Sequence, residues 1–327
     1  MLWRKLISAE GGKSMNDHGD NDLVQLSDLI DVRDPAAVFK EVRSIVRKDY
    51  PSVRTRNLKL VFDDIVRLYN GSFPGYRKCN TEYHDLTHTL GAFLALARLI
   101  DGYNLFHDTI SERGALLGLI GALMHDTGYI QRDDDSSGTG AKYTLQRIRR
   151  SIEFMRMYTA DNDFGPEETA FCEHCILSTN INTGMNDIIF SGREEEVVGK
   201  MLGIADLLSQ ISDRNYLEKL ILLYMEFLEG KVDGFESELD LYRKTIRFFS
   251  SVQKRFGSQM DGLDNYMIHH FRMRWNIDHD LYRRAIEKNA DYLRSLMGGK
   301  QVEIHNYLRR GGVPELVCDT GNLPNFR

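Results

Sequence analysis

Val197-Val198-Gly199-Lys200-Met201-Leu202-Gly203-Ile204-Ala205-Asp206-Leu207-Leu208 is an almost wholly apolar stretch with one carboxylate near its end. Apolar residues flank Asp206 on both sides, so the stretch reads as a helix buried around most of its circumference. In mid-helix this aspartate has no capping role. Burying it unpaired costs several kcal/mol, so it needs a partner. A second stretch has the same character: Leu116 to Met124 is apolar and runs straight into His125-Asp126. A carboxylate at a buried helix C-terminus faces the negative end of the helix dipole, and a cation beside it removes the conflict. Tyr83-His84-Asp85-Leu86-Thr87-His88 opens an earlier apolar run. Its two histidines are four residues apart and share a face if the helix begins near Thr81. His and Asp are ligand types of a hard or borderline divalent cation. One metal ion would satisfy His88, His125, Asp126 and Asp206 together. An Asp206 hydrogen-bonded to a core histidine is the plainer alternative.

The rest of the chain is helical in pattern. Helix-period apolar positions run over 35–48 and 57–70, for example Val38, Val42 and Ile45, then Leu60, Ile65 and Leu68. Gly71, Pro74 and Gly75 break the chain before the histidine block. The block's helix is expected from about Thr81 to Ile100. The next is expected from Ser111, a plausible N-cap, to about Asp126, with Gly128 ending it. Further helices are expected at about 142–159, 167–178, 193–212, 214–229, 236–255, 262–273 and 278–297. No stretch has a convincing strand alternation, so the fold class is all-α. Residues 1–22 read as a loose polar leader, within which Met15 is an alternative start. Residues 23–297 read as one helical domain and 298–327 as a mixed tail.

Composition bounds the function. The chain has 327 residues, 42% hydrophobic and 28% charged, with only 6 prolines, which suits a sizeable helical core. A net charge of -6 argues against a general nucleic-acid or anionic-membrane binder. No run of ~20 apolar residues is long enough to span a bilayer. Cys79, Cys172, Cys175 and Cys318 form no paired framework, and no secretory signal is recognisable, which points to the cytoplasm. Cys172-x-x-Cys175 lacks the second ligand pair of a zinc site and reads as two buried thiols.

The order His88, then His125-Asp126, then Asp206, each in its own helix, resembles the HD-domain metal-dependent phosphohydrolases. Tyr83-His84-x-x-x-His88 looks like the Tyr-His-Asn-x-x-His block of the class I cyclic nucleotide phosphodiesterases. Ile176-Leu177-Ser178-Thr179-Asn180-Ile181 is similar to that family's Leu-Ala-Thr-Asp-Met segment, and Ala205-Asp206-Leu207 to its Ala-Asp-Leu block. The resemblance spans Tyr83 to Asp213. It implies a helical bundle around a metal centre in which His88, His125, Asp126 and Asp206 bind the first of one or two divalent ions (Zn, Mn, Fe or Mg). Asp126 would also reach a second ion. His84 would be the general acid that protonates the leaving oxygen. The implied reaction is hydrolysis of a phosphoester by a metal-activated hydroxide, with the substrate a nucleotide-like small molecule and most readily a phosphodiester. A homodimer stays open.

The pattern also departs from the family. Asp85 stands where the phosphodiesterases have Asn. Thr127-Gly128-Tyr129-Ile130 and the acidic stretch 133–140 replace a His-Pro-Gly segment. Arg150-Ser151 looks like an Arg-Ser pair that many HD enzymes carry after a histidine, but Arg147 falls near the histidine's place. His174 is a candidate for a second metal, against a plain core histidine. Arg147 and Arg150 are candidates for substrate phosphate, against a solvated helix face. Gln253 and Gln259 are the candidates for purine binding. The 133–140 stretch is expected to be a mobile loop at the cavity mouth. Two alternatives share the same residues: a nucleotide monophosphatase or dNTP hydrolase, and a metal-stabilised sensor without turnover. An HD-type di-iron oxygenase would need more histidines and ranks last.

Overall fold

A computed structural model describes residues 24–107, 110–298 and 307–308. It is about 69% helical and has no strand or sheet among the described residues, so the fold is all-α. The helices are α1 (Leu26–Leu29), α2 (Pro35–Asp49), α3 (Arg56–Tyr69), α4 (Leu86–Asn104), α5 (Glu112–Met124) and α6 (Arg147–Asp161). They continue as α7 (Pro166–Leu177), α8 (Arg193–Ile211), α9 (Tyr216–Glu229), α10 (Glu238–Gln259), α11 (Met267–Trp275) and α12 (Leu281–Met297). The expected leader and nearly all of the expected tail lie outside the described residues.

Three helices form the centre because they are apolar on all sides. In α4 the buried residues run without a gap from His88 to Gly102. In α5 they run from Leu117 to Met124, and in α8 from Val197 to Leu208. α4 packs on α2, α5, α8 and α11, and α5 also packs on α8 and α7. Close approach has a sequence cause: a β-carbon on Gly118 of α5 would lie 2.4 Å from Val198 of α8. The outer helices are amphipathic. α2 turns Val38, Val42, Ile45 and Val46 inward, and Asp34 caps it by accepting from the amides of Ala36 and Ala37.

One boundary differs from the sequence reading in a way that matters. α4 starts at Leu86, not near Thr81. Asp85 is the N-cap, its carboxylate accepting the His88 amide at 2.9 Å. A side chain that caps its own helix competes with extending that helix further upstream. His84 therefore precedes the helix and does not share a helical face with His88. The segment before it is held by its own bonds. Thr81 Oγ1 donates to the His84 carbonyl at 2.7 Å, and Asn80 Nδ2 donates to Gln131 Oε1 at 2.9 Å.

The acidic stretch 133–140 is fastened where a mobile loop was expected. Asp135 binds Lys142 and Tyr143. Gln131 Nε2 donates to the Ser137 carbonyl at 2.9 Å, and Thr139 donates to Glu229 through its amide and hydroxyl. A helical turn, Gly140–Gln146, then leads into α6. Cys172 and Cys175 are buried side by side in α7, and burial pushes both thiols up. Among the described residues no helix is long and apolar enough to cross a membrane.

Candidate metal centre

α4 begins with His88 in its first turn, α5 ends next to His125 and Asp126, and α8 carries Asp206 in its fourth turn. All four side chains are buried, and Asp126 and Asp206 each stand against both imidazoles. His88 Nε2 lies 3.2 Å from His125 Nε2, 3.1 Å from Asp126 Oδ2 and 3.2 Å from Asp206 Oδ1. His125 Nε2 lies 3.3 Å from Asp126 Oδ2 and 3.5 Å from Asp206 Oδ1. Ligands about 2.0–2.2 Å from one ion stand roughly 3 to 3.5 Å apart along the edges of an octahedron or tetrahedron, which matches this spacing. His88, His125 and Asp206 offer ligand atoms within 4.8 Å of one another and could hold a metal ion; Asp126, expected as a fourth ligand, stands outside that group and against its two imidazoles.

Two further observations fit a cation. His125 Nδ1 bonds the Ala122 carbonyl at 2.8 Å, so its proton sits there and Nε2 presents a lone pair to the cluster in the neutral ring. Asp126 Oδ2 is buried and has no hydrogen-bond donor. A carboxylate oxygen facing two imidazole nitrogens needs a positive charge among them, which either an extra proton on His125 or a bound cation would supply.

The local field says the same. Burial opposes charge on both imidazoles, but the Asp126 and Asp206 carboxylates outweigh it, so His88 is raised and His125 is raised to about 10. Burial would lift the two carboxyls, but His125 and its neighbours hold both well below the usual carboxylate range. In the metal-free site His125 thus keeps a proton near neutral pH, and an incoming cation must displace it. Calorimetric metal titration near neutral pH, in buffers of different ionisation heat, should show release of at least one proton per ion. Affinity should strengthen as pH rises towards 10. Proton-independent binding would mean that the ion enters elsewhere.

His84 lies beside the cluster and outside it. Its ring is 5.7 Å from that of His88 and stacks on Tyr129 at 4.5 Å. Its Nδ1 meets Glu226 Oε2 at 2.6 Å, and Glu226 Oε1 accepts the amides of Tyr83 and His84 at 2.8 and 3.3 Å. One carboxylate thus fixes both the ring and the backbone that carries it. Sequence reading passed over Glu226, although it sits in the apolar run Ile221 to Leu228 of α9, the same signal that singled out Asp206. Gln210 was also passed over. It donates to Asp206 Oδ1 at 2.7 Å and accepts from Tyr83 Oη at 3.1 Å, tying the ligand to the histidine block.

The remaining candidates land in different places. Arg147 Nη1 donates to Asp126 Oδ1 at 2.7 Å. Arg150 braces the turn after the ligands, donating to the carbonyls of Gly128 and Ile130 at 2.7 and 2.9 Å and stacking over Tyr143. His174 turns to Glu195 at 2.8 Å and is not among the grouped ligands. A cavity of about 620 Å³ adjoins the centre along Tyr83, Thr87, His88 and Gln210. It extends past Gly91 and Leu94 to Arg98, under the segment 25–33. The chain matches no family model, no curated protein and no solved structure.

Proposed function

We propose that the protein is a metal-dependent phosphohydrolase that cleaves a phosphoester, most readily a phosphodiester of a nucleotide-like small molecule. The observation that carries this reading is His84. A site built only to stabilise the fold would need the four ligands, but not a third buried histidine oriented by its own carboxylate next to them. A divalent cation bound there would supply charge for the phosphoryl oxygens and a water acidified towards neutral pH. The chain supplies the rest. With Glu226 accepting a hydrogen bond from Nδ1–H, a doubly protonated His84 would donate its Nε2 proton to the leaving oxygen and be left as the neutral Nδ1–H ring. Tyr129 keeps the ring in plane. Gln210 fixes the Asp206 carboxylate, and His125 is aimed by the Ala122 carbonyl. The adjoining cavity falls in the usual size range for small ligands, roughly 300–1,000 Å³. Its walls carry Arg33, Arg98, Arg214, Lys219 and Lys288 beside Asp28, Asp31 and Asp213, with Arg33 paired to Asp31 and Lys219 to Asp213.

A second reading, a metal-stabilised sensor without turnover, draws on Arg147, whose ion pair already engages Asp126. Metal analysis of the purified protein combined with a phosphoester panel separates the readings. Hydrolysis of bis(p-nitrophenyl) phosphate in preference to p-nitrophenyl phosphate is expected. Preference for the monoester would favour a nucleotide monophosphatase. A metal-loaded protein inert to the whole panel would favour the sensor.

A further inference from the structure

Asp126 divides its carboxylate between two directions. Oδ2 faces the two imidazoles of the cluster. Oδ1 takes Arg147 Nη1 at 2.7 Å, on the side away from them. Arg147 is anchored beyond that bond. Its Nη2 donates to the Thr179 carbonyl at 3.3 Å, and only 18% of its side chain is exposed. Its backbone is pinned as well. A β-carbon on Gly128 would stand 2.1 Å from the Arg147 carbonyl, so the turn after the ligands can approach α6 this closely only with glycine there. The guanidinium is therefore a fixed charge on the outer oxygen of a metal ligand.

A second metal ion bridging Asp126 would have to take that same oxygen. It would also need donors of its own. His174, the sequence's candidate for a second metal, bonds Glu195, and Asp135 of the acidic stretch bonds Lys142 and Tyr143. We propose that Arg147 is the permanent second cation of this centre. It occupies Asp126 Oδ1 in place of a metal and restricts the site to one ion. Arginine suits the task, since it stays charged and presents several N–H donors in a rigid fork. This stoichiometry does not depend on the phosphohydrolase reading.

The test is a count of bound ions. Metal-free protein is saturated with Mn²⁺, freed of excess, and measured by elemental analysis and electron paramagnetic resonance. The expected result is one ion per chain with the spectrum of isolated Mn²⁺, in the wild type and in Arg147→Lys. Arg147→His removes the fixed charge and puts a metal ligand beside Asp126 Oδ1. It should take up a second ion, giving two per chain and a spin-coupled spectrum. Circular dichroism and thermal melting confirm that each variant is folded. Two coupled ions in the wild type would overturn the proposal, whether or not Arg147→His folds. One ion in a folded Arg147→His would equally remove Arg147 as the limiting group. No ion in the wild type would sink the metal reading itself, a different failure from a count of two.

Discussion

Asp206→Ala should lose bound metal and fold stability together. The side chain is buried, with Oδ1 near both His88 Nε2 and His125 Nε2 and bonded to Gln210. Removing it deletes an anionic ligand and leaves two imidazoles that its charge had helped to raise. Breaking a buried charge pair from one side typically costs about 3–5 kcal/mol, because the partner stays buried without compensation. Loss of a bound ion adds to that, since metal affinity is also folding free energy. Chemical denaturation with and without a chelator should show a large drop for the wild type on chelation and a much smaller one for the variant. A purified Asp206→Ala protein with its full metal complement would remove Asp206 from the ligand set.

His84→Ala should keep metal and fold and still lose roughly 10²–10⁴-fold in turnover on a substrate with a poor leaving group. The ring touches Glu226 and Tyr129 and is not one of the grouped ligand residues, so its removal leaves the cluster intact. An aryl ester that releases p-nitrophenolate needs little protonation and should lose far less. Equal losses on both substrates would argue against proton donation. Loss of metal in this variant would make His84 a ligand. Glu226→Gln tests the positioning carboxylate beside it. It should reduce turnover on the poor leaving group by a smaller factor and leave the metal count unchanged, whereas a purely structural Glu226 would slow both substrates alike.

Much of the architecture was legible because the signals are local. Helix period, the Ser111 cap and the glycine break near Gly71 depend on neighbours within a turn or two. The all-α class followed from them, as did the approximate bounds of most helices. Asp206 and His125-Asp126 stood out for a related reason: a charged group inside an apolar run states its need for a partner before the partner is known. Glu226 made the same statement in α9, but the resemblance to a known pattern drew attention to other residues.

Other features depended on the packing. Whether His84 sits on the helix or before it turned on Asp85, a residue able to continue a helix or to cap one, and the bond to the His88 amide decided for the cap. The acidic loop looked free because its composition is that of a loop. Lys142, Tyr143 and Glu229, which fasten it, lie outside the stretch, and Glu229 is distant in sequence. Arg147, Arg150 and His174 are chemically eligible for several tasks, and only their partners distinguish them. The sequence by itself determined the helices and the residues that could not be buried alone. The tertiary structure decided which of those residues face each other. A side chain's burial requirement is a property of its own chemistry and local run, while its partner is set by helices that pack from far apart along the chain.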